Sequence, residues 1–240
     1  MIYDSIVTKA GNCKQVALLI DPDKYDDPSL IRILEYANRM EPDFILVGGS
    51  LVSNPVAPFI DRIKTNTDIP VILFPGSLLQ ISDNADAILL LSLVSGRNPD
   101  FLIGNHIIAA PLLKKSNLEI ISTAYILIEN GISTSVEYMS NTNPIPAEKV
   151  EIAVATALAA EMLGFKLIYL EAGSGARSHV PEVMVQEVKR NVDIPVIVGG
   201  GIRSKEEAGK IYRAGADIIV VGNVVEKDPS KLEEIASLRR

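Results

Sequence analysis

The sequence predicts an α/β fold, a single-domain (β/α)8 TIM barrel spanning residues 1–240. Three observations carry that expectation. Eight short apolar runs recur along the chain, helical patterns separate most of them, and the last three runs are followed by glycine-rich loops. The chain is 240 residues long, close to the roughly 250 of a typical barrel.

The apolar runs fall at 16–20, 44–47, 71–74, 87–91, 120–124, 167–170, 196–198 and 218–221. Most are continuously apolar rather than alternating, as expected of parallel strands covered on both faces. Between them, 29–40 spaces Leu30, Ile33, Leu34 and Ala37 along one helical face. An alanine-rich helix is expected at 147–163, and others at 101–113, 181–191, 204–214 and 230–238. Ser204 with Glu207 reads as a capping box, and Pro229-Ser230 as the start of the last helix. Only residues 76–85 separate the third run from the fourth, so a reduced third helix is expected. An open doubly wound sheet is the competing architecture; eight strand–helix units favour closure.

The net charge is −7 and the aromatic content 5 %, with no Trp. A general polyanion binder needs a basic face, so no nucleic-acid partner is expected. An acidic chain can still hold one phosphate, because backbone N–H groups do that locally. A diphosphate would call for a bridging metal. Cys13 is the single cysteine. That excludes an intramolecular disulfide and a cysteine zinc cluster, and fits a reducing compartment. The first fifteen residues lack the apolar core of a signal peptide, and the run 87–91 is far too short to span a bilayer. A cytoplasmic location is expected.

In a barrel of this kind the active site lies at the C-terminal ends of the strands. After the sixth run comes Ala172-Gly173-Ser174-Gly175-Ala176, after the seventh Gly199-Gly200-Gly201-Ile202, and after the eighth Gly222-Asn223. Glycines allow backbone amides to approach an anion. They also make ordinary tight turns, but three such loops on one rim favour a phosphate site. Asp21-Pro22-Asp23-Lys24 follows the first run and Gly48-Gly49-Ser50 the second. Asp-Pro-Asp is a common turn; the alternative is a carboxylate and a hydroxyl holding Mg2+ with substrate phosphate. Glu171 ends the sixth run, either as a loop-fixing charge or as a desolvated general base. Tyr125 and Tyr169 end strands five and six, as packing residues or as hydrogen-bond partners of substrate hydroxyls. His106 reads as a packing histidine, and Arg177 and His179 as a solvated helix start.

Taken in order, Asp21-Pro-Asp-Lys, Val47-Gly-Gly-Ser50, Tyr169-Leu-Glu171, Gly199-Gly-Gly201-Ile and Val221-Gly-Asn223 resemble the geranylgeranylglyceryl phosphate synthase family, which includes bacterial heptaprenylglyceryl phosphate synthases. The resemblance covers essentially the whole chain. It implies a prenyltransferase that joins a polyprenyl diphosphate to the C3 hydroxyl of sn-glycerol 1-phosphate. Asp21 and Ser50 would be the Mg2+ positions. Tyr169, Leu170, Glu171, Ala172, Gly173, Ser174 and Gly175, with Gly200, Gly201, Gly222 and Asn223, would hold glycerol phosphate. Glu171 would orient or deprotonate the attacking hydroxyl. The apolar stretch Phe101, Leu102, Ile103, Ile107, Ile108 and Ala109 is a candidate prenyl groove or ordinary core. A homo-oligomer and transient membrane contact through the lipid substrate or product are also expected.

Two departures bear on the subgroup. Leu19 stands where some bacterial members carry Lys, so a basic phosphate contact must come from elsewhere. The loop 172–176 is richer in glycine than the Tyr-Ser-Gly form of those members. Both favour the geranylgeranyl type over the heptaprenyl type. The competing readings are a barrel isomerase or lyase acting on sugar phosphates and a non-catalytic phosphometabolite binder.

Overall fold

The computed structural model describes residues 1–239. Eight parallel strands close into a barrel in sequence order, with β8 pairing back onto β1. They are β1 (Gln15–Ile20), β2 (Phe44–Val47), β3 (Val71–Leu73), β4 (Ala87–Leu93), β5 (Glu119–Leu127), β6 (Leu167–Glu171), β7 (Val196–Gly199) and β8 (Ile218–Val221). Each predicted run is a strand. β5 extends three residues past its expected end because it pairs with β4 up to Tyr125 and with β6 through Ile126 and Leu127.

Alternation along the strands divides the core. Ala17, Leu46, Ile72, Leu89, Tyr125, Tyr169 and Ile197 fill the barrel interior. Leu18, Ile45, Leu73, Ile126, Leu170 and Val198 point outward against the helices. Each such buried aliphatic side chain contributes about 1.5–3 kcal/mol of transfer free energy.

The helices are α1 (Ile2–Lys9), α2 (Asp27–Met40), α3 (Val56–Asn66), α4 (Asn105–Leu113), α5 (Ser135–Ser140), α6 (Val150–Met162), α7 (Glu182–Asn191), α8 (Lys205–Ala214), α9 (Asn223–Lys227) and α10 (Ser230–Ala236). α3 was not expected, although Val56, Phe59, Ile60 and Ile63 form its buried face at helical spacing. After β3 there is only a 3-10 turn, Leu78–Gln80, so the third helix is indeed reduced. A π-helical segment, Asp100–Gly104, leads into α4. Among the described residues no helix is long and apolar enough to cross a membrane.

The expected capping box of α8 is only half formed. The Glu207 N–H donates to Ser204 Oγ at 3.2 Å, but the Glu207 carboxylate accepts from the Arg203 N–H instead of Ser204. The complete box lies at Thr134 and Glu137 of α5. There the first-turn glutamate reaches the N-cap's own amide.

The N-terminal end of the barrel is closed by α1, whose Ile6 inserts into the interior, and is tied by aspartates. Asp43, Asp86 and Asp217 immediately precede β2, β4 and β8. Their carboxylates accept from the first or second amide of the neighbouring strand: Val16 at 2.9 Å, Val71 at 2.8 Å and Val196 at 2.8 Å. Each also meets a lysine, respectively Lys9 at 2.6 Å, Lys64 at 2.7 Å and Lys189 at 2.8 Å.

Candidate active site

The opposite end of the barrel is open. A cavity of about 580 Å³ reaches from the strand ends into a groove beside β4. Most of the loops singled out by sequence meet on it. Asp21 and Ser50 line it after β1 and β2, Tyr125, Tyr169 and Glu171 at the ends of β5 and β6, and Ser174, Gly175, Gly200, Gly201, Gly222 and Asn223 in the loops after β6, β7 and β8.

Three members of the expected phosphate run stand elsewhere. Leu170 and Ala172 pack in the core between sheet and helices, and none of Leu170, Ala172 and Gly173 lines the cavity. The alternation of β6 explains this for Leu170: Tyr169 and Glu171 face inward, so the residue between them faces the helices. Gly173 acts through its amide, which donates to Glu171 Oε1 at 2.6 Å.

The glycine loops are joined to one another. Ser174 Oγ donates to Asn223 Oδ1 at 3.1 Å, linking the loops after β6 and β8. Gly200 has φ +81°, and a side chain there would lie 2.4 Å from Glu171 Oε1 and 2.6 Å from the Gly173 nitrogen. Gly201 has φ +72° and backs onto the carbonyl of Ser178 at 2.3 Å by the same construction. Both are positions that only glycine fits without movement. Both line the cavity together with Gly175 and Asn223, the kind of backbone whose amides can cradle an anion.

Glu171 is 5 % exposed. Burial pushes its carboxyl up to about 7, against the opposing pull of the Gly173 amide and the Tyr169 and Tyr125 hydroxyls. Tyr169 stacks on Phe74 with ring centroids 5.2 Å apart and touches Tyr125 at 5.3 Å. Gly199 leaves room for the Tyr169 tip, since a side chain there would stand 2.3 Å from its hydroxyl. That hydroxyl is buried without a hydrogen-bond partner. It lies near enough to bias the Glu171 charge, yet it makes no bond of ordinary geometry. A buried hydroxyl left unpaired is costly, and at a cavity floor it is available to a bound ligand.

Asp21 is half-buried, and desolvation raises its carboxyl from the usual range despite the Asp23 amide and Lys24. The Asp23 N–H donates to Oδ1 at 3.1 Å, and Gly49 packs close against the carboxylate. A carboxylate and a hydroxyl are hard oxygen donors that suit Mg2+ when phosphate oxygens and water complete the shell. That completion is needed, because no group of three or more metal-binding side chains occurs among the described residues.

The apolar part of the cavity differs from the expected groove. Of the six residues proposed from sequence, only Phe101 and Ala109 line it, while Ile103, Ile107 and Ile108 are exposed on the outer surface. The wall comes instead from Ile88 and Leu90 on the outer face of β4, from Leu78 and Ile81 around the 3-10 turn, and from Val136 and Met139 of α5. The shortened connection after β3 leaves the outer face of β4 free of a covering helix, and the groove occupies that place.

Sequence reasoning missed several lining residues. His106 borders the cavity; its Nε2 lies 2.9 Å from Ser92 Oγ, its Nδ1 is buried without a partner, and burial lowers its pKa. Lys24, Arg203 and Glu226 also line it. Lys24 belongs to a motif already visible in the sequence, whereas nothing local marks Glu226. His179 hydrogen-bonds the Val180 carbonyl at 2.8 Å and stands outside the cavity.

The chain is similar to known proteins over nearly its full length. It is 50 % identical to the geranylgeranylglyceryl phosphate synthase of Chitinophaga pinensis over 237 residues, covering 98 % of this chain and 94 % of that one. It is 51 % identical to the enzyme of that name from Spirosoma linguale over 233 residues, 97 % of this chain and 94 % of that one. Its structure superposes with a TM-score of 0.95 on (S)-3-O-geranylgeranylglyceryl phosphate synthase from Thermoplasma acidophilum, solved in complex with sn-glycerol-1-phosphate. Those two chains are 38 % identical, with 100 % of this one and 98 % of that one covered. Residues 11–239 match the PcrB family, and the chain belongs to that family.

Proposed function

We propose that the protein transfers a geranylgeranyl group from its diphosphate to the C3 hydroxyl of sn-glycerol 1-phosphate, releasing diphosphate and an ether-lipid precursor. One observation carries this reading: a single cavity joins a glycine-lined anion cradle to an apolar groove, with a buried carboxylate at the junction. A small sugar phosphate would need the cradle and not the groove. The similarity to a synthase crystallised with sn-glycerol-1-phosphate supports the acceptor.

The residues divide the work. The loops carrying Gly175, Gly200, Gly201, Gly222 and Asn223 hold the acceptor's phosphate through backbone amides. This orients the glycerol hydroxyl toward Glu171. The bond between donor C1 and diphosphate breaks, the acceptor oxygen bonds to C1, and Glu171 takes the hydroxyl proton. A carboxyl with a pKa about 7 is matched to that transfer at neutral pH. The unpaired Tyr169 hydroxyl supplies a hydrogen bond to the glycerol. The apolar groove holds the prenyl chain and excludes water from the reacting centre. Mg2+ held by Asp21 and Ser50 would supply the charge that makes diphosphate a workable leaving group.

The test is a product assay with radiolabelled glycerol 1-phosphate and farnesyl, geranylgeranyl or heptaprenyl diphosphate. The expected result is a geranylgeranyl ether whose formation stops on adding EDTA. Failure to form an ether from any of these donors, with metal-free isomerisation of a triose or aminosugar phosphate instead, would overturn the reading.

A further inference from the structure

We propose that Lys24 is the group that binds the donor's diphosphate, and that Glu226 restrains it until the donor arrives. The inference rests on the transferase reading above. Lys24 Nζ lies 3.3 Å from each carboxylate oxygen of Glu226 and 3.9 Å from Asp21 Oδ2. A turn closed by the Lys24 N–H on the Asp21 carbonyl at 3.0 Å keeps this lysine beside Asp21. The ammonium therefore stands between Asp21 and α9, the helix that begins at Asn223 of the glycine cradle.

The other cations on the cavity wall are placed differently. Arg203 is bound to the Ala176 carbonyl, beside the glycine loops. Lys231 is paired with Glu234 at 2.7 Å, within α10. Lys227 is exposed on α9 and makes no ion pair among the described residues. Lys24 is thus the cation nearest Asp21.

Its surroundings suit exchange. The Lys24 side chain is 40 % exposed, whereas Glu226 and Asp21 are each 18 % exposed. Two carboxylates share one ammonium, so the cluster carries net negative charge and repels an incoming diphosphate until that charge is redistributed. A partly solvated ion pair is weak and exchanges readily. Lysine's long flexible stem lets the same charge turn from carboxylate to phosphate.

Calorimetric titration of the full chain with inorganic pyrophosphate in the presence of Mg2+, and separately with glycerol 1-phosphate, tests this. Lys24→Met is expected to weaken pyrophosphate binding by about tenfold or more, with glycerol 1-phosphate affinity unchanged. Lys24→Arg should restore most of the loss. Glu226→Gln should tighten pyrophosphate binding, because it releases the lysine. A merely structural ion pair predicts the reverse, since breaking it from either side would have the same effect. Unchanged pyrophosphate affinity in Lys24→Met, or unchanged or weakened affinity in Glu226→Gln, would overturn the proposal. Ether product formed by the unsubstituted protein alongside either result would leave the transferase reading standing and sink only the role of Lys24.

Discussion

Both ends of this barrel present carboxylates to backbone amides, and the two sets are built oppositely. At the N-terminal end Asp217 is 1 % exposed and fully engaged: it accepts from the Val196 amide at 2.8 Å, the Gly11 amide at 3.1 Å and the Lys189 ammonium at 2.8 Å. At the C-terminal end Glu171 is buried almost as deeply but accepts one amide, with an unpartnered tyrosine hydroxyl beside it. Two backbone amides and a lysine saturate the first, which staples β7 to β8. Burial pushes the second's carboxyl up to about 7, because its few partners offset only part of the desolvation. The same residue chemistry therefore serves stability at one end and proton transfer at the other, and how far partners offset burial separates the two.

Substituting each acid by its amide separates the two roles. Glu171→Gln should lower turnover by roughly 10²–10⁴-fold, the usual contribution of a positioned general base. It should not lower thermal stability. Burying the ionised form costs on the order of 3 kcal/mol, from a carboxyl raised from 4.5 to about 7. The cost is absent below pH 4.5, grows as pH rises between the two values and is fully present above about 7. The amide should thus raise the melting temperature at pH 8 and leave it unchanged at pH 4. Calorimetric melts at both pH values check this, and a fall at pH 8 would break the comparison.

Asp217→Asn is the mirror image. Loss of one partner of a buried pair leaves the other without compensation, at about 3 kcal/mol. Denaturant unfolding should register that loss, while kcat of the folded protein stays within about twofold of the original. A selective loss of kcat would contradict the assignment of this end to stability.

A smaller effect sharpens the contrast within the cavity itself. Leu90→Ala removes part of the groove wall and leaves the glycine cradle untouched. KM for geranylgeranyl diphosphate should rise by about fivefold, the worth of a partly buried leucine. KM for glycerol 1-phosphate should not move. Equal changes in both would mean that groove and cradle are not separate subsites.

The parts of the site that could be read from sequence are those the backbone builds. Gly200 and Gly201 are legible because positive φ and close approach exclude other residues. The strand ends are legible because eight apolar runs in one chain leave few other architectures. The groove was misread because it is made by what is missing, a helix after β3, and is walled by side chains from several elements with no common spacing. Ile103, Ile107 and Ile108 are as apolar as the true lining, and only the direction of α4 and its π-helical lead sends them outward. The Lys24–Glu226 contact joins residues 202 positions apart and depends on barrel closure. Leu170 shows the limit of a contiguous motif, since β alternation removes every second residue from the face that matters.

The dependence of kcat/KM for glycerol 1-phosphate on pH tests the account most directly, because it reads the state of Glu171 in the free enzyme. The base must be ionised to accept a proton, so the rate should fall on the acid side with an apparent pKa near 7. The residual rate of Glu171→Gln should lack that limb. A rate in the unsubstituted protein that stays flat from about pH 5.5 to about pH 8.5 would contradict a buried carboxylate acting as the base.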